Sequence, residues 1–427
     1  DGEDVAVPRV VFLFVILGRL FLNVNFTIMM PASAEVMLKA GGTVSLSGLA
    51  IGIYAAGSIL CTPIAVHFSR ESYRVGLILT GIVTVLGNVA YAMAGSSHGP
   101  GAVAGLLLAR MLCGCQSAVG TLFMNANQTM GRGAGIARLT AAQNFAVTFG
   151  LVIGPSVASL CRFLAPGLPP ALMPSALMAF VGLLYAAAAA AFFPYQRDLP
   201  MLEEDGESSK GGSVQGTQEE GMIEEAHVRE CWLCLANVAV IQCARLCQRV
   251  LWEAGALTVL MGPYGLSQAS SGLLVGLPVL VSLPLSLAGP LLHRMGVSRS
   301  LLGLALLELI GLMMMFTFGR RRSLSLFLLG SSIFYSANWL TSVPMVQLRV
   351  GFNIKSHWAL NTESFSGIVS LSTFGGTFVG PVMSRAVVGA CASQNMLTGT
   401  SLILWLGIFL STEVAREVLL HAKASAK

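Results

Sequence analysis

Twelve long apolar stretches alternate with shorter polar segments along the 427 residues of the chain. An α-helix rises 1.5 Å per residue, so about 20 apolar residues cross the hydrocarbon core of a bilayer. The pattern therefore predicts an all-α membrane protein with twelve transmembrane helices. We place these helices at about 9–31, 46–68, 74–96, 101–126, 138–161, 173–194, 232–261, 270–292, 299–318, 323–346, 361–385 and 395–416.

The polar segment between the sixth and seventh apolar stretches is longer than the others and is rich in Gly, Ser and Glu. A segment of this composition cannot bury enough apolar surface to fold, and it is typical of a mobile linker. We therefore predict an N-terminal six-helix bundle over residues 1–195, a largely mobile linker over 196–230, and a C-terminal six-helix bundle over 231–427.

The composition agrees with a membrane location, because 55% of the residues are hydrophobic and only 11% are charged. The net charge of +5 is too small to indicate a nucleic-acid partner. Of the 25 Lys and Arg, 15 fall on the side of the termini and linker, 6 on the other side and 4 within spans. This bias predicts cytoplasmic termini and a cytoplasmic linker. The membrane itself stays open between vacuolar or lysosomal, plastid and plasma membranes.

Enzymatic and metal chemistry find little support in the sequence. Most of the nine cysteines lie in predicted spans, and the CxxC of Cys231 and Cys234 has no second ligand pair with which to bind zinc. No nucleophile–base arrangement and no phosphate-cradling glycine loop is present. We therefore expect no enzyme, no cofactor and no metal site.

A short motif occurs once in each half of the chain. GLVIGPS at 150–156 and GTFVGPV at 376–382 both read G-x-x-x-G-P, at an offset of 226 residues. Glycines four residues apart share one helix face and allow a neighbouring helix to approach closely. The proline removes a backbone donor and kinks the helix. We assign a structural or gating role to Gly150, Gly154, Pro155, Gly376, Gly380 and Pro381.

A second pair of motifs follows the second and eighth spans. IAVHFSRESYR ends at Arg74, AGPLLHRMGVSR ends at Arg299, and Arg70 matches Arg294 at an offset of 224. Taken alone, these residues fit ordinary loop charge. Two different motifs that share nearly one offset indicate an internal duplication, which in a transporter-length chain points to a substrate site between the halves.

With these motifs the chain resembles the major facilitator superfamily over essentially its whole length. Gly289, Arg294 and Gly296 match that family's G-x-x-x-D-R-x-G-R-R signature, although His293 and Ser69 stand at the two acidic positions. Arg110 and Gly114 are similar to the Arg-x-x-x-Gly motif of the fourth span, and GLVIGP resembles the fifth-span motif linked with antiport. The structural or gating set implied here is Arg70, Arg74, Arg110, Gly114, Gly289, Arg294 and Gly296.

Within the superfamily, the segments MMPASAEVM, AAQNFAVTFGLVIGP and GGTFVGP resemble the branch that holds the vacuolar SPX-type phosphate transporters and their lysosomal relatives. The resemblance implies two pseudo-symmetric six-helix bundles and a rocker-switch carrier. Spans 1, 4, 7 and 10 would line a central cavity that faces each side of the membrane in turn. It also implies a monomer, although a place in a larger membrane assembly stays open.

Arginines in the middle of two apolar spans carry the functional prediction. Arg19 and Arg245 are separated by the same 226 residues as the glycine motifs, and Arg249 corresponds to Asn23. A buried arginine costs at least about 2.5–3.5 kcal/mol on insertion scales, unless it faces water or a partner. Helical spacing puts Arg245 and Arg249 within an arc of about 80° together with Gln242 and Glu253.

Two guanidinium groups that face each other across a cavity repel, and an anion between them would stabilise both. The arrangement also resembles the organophosphate:phosphate exchangers of the superfamily. We expect phosphate or an organic phosphate first and a carboxylate next. As an alternative, Arg249 could pair only with Glu253, and Arg110 could serve packing alone. The predicted substrate-binding residues are Arg19, Asn23, Gln242, Arg245, Arg249, Asn338 and Trp339.

Two acids are candidates for proton coupling, namely Glu253 and Glu363, although Glu363 could simply favour a helix N-terminus. We expect a secondary active or facilitative transporter of a small anion. Two alternatives remain at this point: a non-transporting structural or accessory subunit with a degenerate fold, and a carrier of a neutral or amphipathic solute.

Overall fold

A computed structural model describes residues 8–123, 134–195, 218–285, 291–292, 295–319, 323–342, 344–345, 362–387 and 393–425. Thirteen α-helices lie within these residues and no strand does. They are α1 Arg9–Thr27, α2 Ser33–Lys39, α3 Val44–Glu71, α4 Tyr73–Gly95, α5 Pro100–Cys115, α6 Ala134–Leu164, α7 Leu172–Phe192, α8 Gln218–Met261, α9 Gln268–Leu285, α10 Val297–Met315, α11 Leu324–Leu340, α12 Thr362–Val387 and α13 Gln394–Ser425.

The helices follow the predicted spans closely. In the described part of the chain, nine helical segments are long and apolar enough to cross a membrane. The other three predicted spans coincide with α9, α11 and α12. The short helix α2 is additional, and a single 3₁₀ turn, Gln116–Ala118, interrupts the fourth span after α5.

The start of α8 differs from the predicted end of the linker. The helix begins at Gln218, whereas the linker was expected to extend to residue 230. The Gly- and Ser-rich part of that segment lies before Gln218, and the residues that follow are mostly Glu, Met, Ile and Ala, which favour a helix. The C-terminal part of the predicted linker is therefore an extension of the seventh span.

The two glycine motifs pack in the same way in the two halves. A Cβ at Gly150 or Gly154 would overlap atoms of α1, and one at Gly376 or Gly380 would overlap the backbone of α8. Helix α6 thus packs on α1, and α12 packs on α8. The fifth helix of each half lies against the first, as the internal duplication predicts.

The halves contact each other through α3 with α12 and through α6 with α9. At one such contact, Gly48 lies against the carbonyl of Pro381 and the side chain of Arg385. Gly48 is near the start of α3 and Pro381 near the end of α12. Because successive spans alternate in direction, this contact lies at the end of the bundle opposite the start of α1. We call it the far end.

Arg385 occupies this far end, as the last residue of the predicted eleventh span. It lies within α12, is only 5% exposed, and donates from Nη1 to Thr258 Oγ1 of α8 at 2.7 Å. The helix continues past the predicted limit because its last turn packs on α8 and α3. Arg385 therefore belongs to the packing between the halves.

Candidate functional site

A cavity of about 330 Å³ lies between the two halves. Its described lining includes three arginines and no aspartate or glutamate. Residues of α1, α3, α6, α8, α11 and α12 contribute, together with the helical segment after the 3₁₀ turn. The polar members of the lining are Arg19, Asn23, Tyr54, Ser58, Ser117, Thr121, Asn144, Gln242, Arg245, Arg249, Trp339, Ser342, Ser370, Thr373 and Thr377.

Six of the seven predicted substrate-binding residues are therefore brought together on one cavity. Both halves supply an arginine from the first helix, as the offset of 226 residues predicts. Their role in substrate binding remains a prediction.

Arg19 is held by the backbone of the fourth span. Its Nη2 donates to the carbonyl oxygen of Gly120 at 3.0 Å, and its Cζ lies 5.5 Å from the ring centroid of Phe123. Its Nε is buried, and no described residue accepts a hydrogen bond from it. Asn23 donates from Nδ2 to the Arg19 carbonyl at 2.7 Å, one turn along the same helix. Arg19 thus keeps donor capacity for a ligand.

Arg245 is the most buried arginine of the cavity, with 5% of its surface exposed. Within the described part of the chain, its buried Nε and Nη1 have no hydrogen-bond partner. It interacts electrostatically with Arg249, a like charge, and with Glu308, an opposite charge. A buried guanidinium with two unused donors is costly, and an anion in the cavity would satisfy them.

Arg249 faces the cavity and is also paired. Its Nε lies 3.5 Å from Glu253 Oε1, and its Cζ lies 5.2 Å from the ring centroid of Trp339. Tyr335 donates its hydroxyl to the same Glu253 oxygen at 2.8 Å. The i, i+4 pair with Glu253 is therefore present, and it coexists with a place on the cavity.

Asn338 does not line the cavity, contrary to the sequence-based expectation. It is 1% exposed, and its Nδ2 lies 3.2 Å from Glu308 Oε1 and 3.3 Å from Gln248 Oε1. Successive residues on a helix point about 100° apart, so Trp339 faces the cavity while Asn338 faces α8 and α10. Asn338 belongs to a buried polar cluster behind Arg245.

Glu308 is the residue of this cluster that sequence reasoning missed. It is 2% exposed and lies in the middle of α10. The signal was present, because a lone acid within an apolar span is unusual and tends to be functional or paired. Its partner could not be read from spacing, since Asn338 and Arg245 come from other helices.

Arg110 binds the end of α1 and lies away from the cavity. Its Nη2 donates to the Phe26 carbonyl at 3.2 Å, and its Cζ lies 4.9 Å from the ring centroid of Tyr54. A cation at a helix C-terminus is favourable. Gly114 lies directly against the Tyr54 backbone, where a Cβ would overlap the carbonyl. Both residues therefore have the packing role that was left open for Arg110.

The remaining predicted residues divide into two groups, those whose contacts the structure describes and those outside the described residues. Arg74 and Gly296 form the first group. Arg74 donates to the Ala190 carbonyl and lies 4.2 Å from the ring of Tyr195. Gly296 has a φ of +80° before α10, a conformation that favours glycine. The second group lies outside the described residues, and comprises Gly289, Arg294 and the side chains of Arg70 and Glu363.

Comparisons with known proteins show the fold. No protein-family model matches the chain. An SPX domain-containing membrane protein of Arabidopsis thaliana is 31% identical over 103 residues, which is 24% of this chain and 14% of that protein. One from Oryza sativa subsp. japonica is 34% identical over 95 residues, 22% of this chain and 13% of that protein. The chain thus matches about one seventh of the length of these relatives.

The crystal structure of the human organic anion transporter MFSD10 (TETRAN) superposes with a TM-score of 0.66. The superposition covers 94% of this chain and 99% of that one, at 17% sequence identity. The chain therefore has the major facilitator fold and is an integral, multi-pass membrane protein. The predicted fold class is confirmed.

Proposed function

We propose that this protein is a transporter of a small anion, with phosphate or an organic phosphate as the leading substrate class. The observation that carries the proposal is the meeting of Arg19, Arg245 and Arg249 on one cavity whose described lining holds no acid. The fold neighbour's name, organic anion transporter, agrees with a negatively charged substrate.

The charges near the cavity favour a bound anion. Three arginines line it, and two acids, Glu253 and Glu308, lie next to them. With both acids ionised, one positive charge is left over in a region away from bulk water. A cavity of about 330 Å³ is at the lower end of the range for small-molecule sites, about 300–1,000 Å³. A compact anion with oxygens on several sides suits the planar donors of arginine.

The position of the cavity favours alternating access. The halves are packed together at the far end, whereas Asn144, Gln242 and Val369 extend the lining toward the end where α1 begins. A rocking of one half against the other would close this end and open the far end. We propose that the end where α1 begins is cytoplasmic, in line with the charge bias.

Exchange of radiolabelled phosphate in proteoliposomes tests the proposal. We expect uptake against internal phosphate in the wild type, and its loss in Arg19→Ala and in Arg245→Ala. Arg162→Ala is the matched control, because the exposed Arg162 pairs with Glu35 outside the cavity. Active uptake that survives both cavity substitutions, or uptake only of an uncharged solute, would reject an anion site at these arginines.

A further inference from the structure

The two carboxylate oxygens of Glu253 differ in their surroundings, because one is hydrogen-bonded and the other is not. The residue is 6% exposed, and its Oε1 receives the Tyr335 hydroxyl and faces Arg249 Nε. Its Oε2 is buried and has no hydrogen-bond partner among the residues that the structure describes. An ionised oxygen without a donor is costly in such a place, so this carboxylate is poised to gain a proton or a water.

A small second cavity adjoins Glu253 at the seam between the halves. Its volume is about 30 Å³, roughly that of one water molecule. It lies toward the far end, beyond Glu253 as seen from the main cavity. Its lining comes from both halves, with Thr27, Met30, Pro31, Leu151 and Pro155 on one side and Glu253, Leu257, Gly272, Val275 and Val279 on the other.

Glu253 therefore lies between the main cavity and the small second cavity. Through Arg249 it is in contact with the main cavity, and its own side chain borders the seam that must open if the far end opens. The described charged or titratable groups that face it are Arg249 of its own helix and Tyr335 of α11. The residues that α1, α6 and α9 place around it are neutral, as are Gly380 of α12 and Leu397 of α13 near this level.

We infer that Glu253 is the site at which one proton is carried together with the anion; this inference rests on the proposed function. An anion that binds Arg249 competes with Glu253 for the guanidinium. The carboxylate, deprived of its counter-charge in a poorly solvated place, takes a proton from water and becomes a neutral acid. When the anion leaves on the other side, Arg249 returns to Glu253 and the proton is released there.

Linkage makes the effect reciprocal, because a proton on Glu253 frees Arg249 and strengthens anion binding by the same factor. Anion and proton therefore bind together and move in the same direction. No bond other than that to the proton forms or breaks. Glu308, the acid behind Arg245, is placed differently from Glu253. It borders neither cavity, and its Oε1 accepts a hydrogen bond from the side-chain amide of Asn338.

The test compares Glu253→Gln with Glu308→Gln as the matched control. Both replace a buried acid by an isosteric amide. We measure radiolabelled phosphate uptake with an acidic exterior and uptake with the same pH on both sides of the vesicle membrane. The quantity compared between variants is the ratio of the first to the second. We expect a ratio of about fivefold or more in the wild type, by the usual size of coupling between sites. The ratio should fall to one in Glu253→Gln and persist in Glu308→Gln.

Several outcomes would overturn the inference while leaving the proposed function intact. These are wild-type phosphate exchange that does not respond to the pH gradient, a Glu253→Gln variant that keeps the wild-type ratio, and loss of the ratio in both variants. Absence of phosphate flux in the wild type at every pH would instead reject the proposed function itself, and this inference with it.

A second measurement covers the case in which Glu253→Gln does not fold. Wild-type vesicles that contain a trapped pH indicator should acidify inside when phosphate is added outside without any imposed gradient. The pH on both sides is set so that phosphate is almost wholly the dianion, and the entering phosphate then brings no proton of its own. Vesicles of the control variant Arg162→Ala should do the same. Phosphate entry without acidification would overturn the inference.

Discussion

Arg19 is held by a backbone carbonyl, whereas Arg249 is held by a carboxylate. An incoming anion meets no competing acid at the first site and must displace one at the second. We therefore expect Arg19 to contribute mainly to affinity, and Arg249 to link binding with the state of Glu253. The two arginines differ although they belong to the same cavity.

Arg19→Lys tests the importance of the guanidinium's shape. Lysine keeps the charge but loses the planar fork that pairs with two oxygens. Loss of one hydrogen bond to a charged group costs about 1.5–3 kcal/mol, so the KM for phosphate should rise about tenfold or more. Phosphate-concentration dependence of initial uptake in proteoliposomes measures this. An unchanged KM would mean that Arg19 acts only as a charge or not at all.

Gly120→Ala tests the position of Arg19 without removing it. A Cβ at Gly120 would come 2.7 Å from Arg19 Nη1, which is the end of a flexible side chain and can move. We expect a nearly unchanged melting temperature and weaker phosphate uptake, because the guanidinium is displaced. Gly114→Ala is the contrasting variant: its Cβ would overlap a backbone carbonyl that cannot move, so the loss there should be one of stability.

Sequence patterns located the cavity arginines because each one interrupts an apolar span and because the spacing repeats. They did not separate Asn338 from Trp339, since two adjacent residues of a buried helix face different neighbours and the pattern does not show which neighbour is the cavity. Glu308 was not predicted from the sequence for the same reason, because its role depends on Arg245 and Asn338, which lie on other helices.

At the scale of the helices, the glycine motifs act as contact surfaces. Gly380 lies against the backbone of α8, with a Cβ 2.6 Å from the Cys247 carbonyl. The motif and the close approach of some neighbouring helix were found from the spacing alone. That this neighbour is the first helix of the same half is seen only in the structure. The start of α8 was not found, because the charged residues from Gln218 on were grouped with the Gly- and Ser-rich segment before them, although their own composition favours a helix.

Gly380→Val is expected to destabilise the C-terminal half, because the α8 backbone leaves no space for the added carbons. Overpacking of a tight contact costs about 1–3 kcal/mol, which should appear as a lower melting temperature in detergent. Gly407→Val on α13 is the control, since no described atom outside its own stretch of helix lies within 4 Å of its Cβ. Equal melting temperatures for the two variants would contradict the proposed contact role.

At the scale of the whole molecule, the duplication makes the helix arrangement nearly symmetric, whereas the charged side chains near the cavity are not symmetric. The first helix of each half places an arginine on the cavity, and the fifth helix packs on it. The acids next to the cavity, Glu253 and Glu308, both come from the C-terminal half. The symmetric placement of the arginines could be predicted from the 226-residue offset. The position of both acids in one half could not, because it depends on which side chains are in contact in the folded protein.

The far end of the bundle is closed in this conformation, and Arg385 is part of the closure. Its guanidinium donates to Thr258 Oγ1 at 2.7 Å, and its Cγ would come 2.7 Å from a Cβ at Gly48 in the other half. The hydrogen bond to Thr258 lies within the C-terminal half, whereas the packing on Gly48 joins the two halves. A contact made only while the far end is closed stabilises that state and no other, and the contact with Gly48 is of this kind. Its loss should therefore shift the population toward the open state.

Arg385→Ala removes this contact. The part of the contact that crosses between the halves is the packing of the side-chain stem on Gly48. Burial of one CH₂ group contributes about 0.8 kcal/mol, which corresponds to roughly a fourfold change in the ratio of the two states. Spin labels at the exposed Leu38 and Met261, one in each half near this end, should show a larger population at long distance. Arg162→Ala, which alters a pair within the N-terminal half, should leave the distribution unchanged. If Arg385→Ala leaves it unchanged as well, other contacts of α3 with α12 and α6 with α9 must hold the far end closed, and the arginine contributes to packing only.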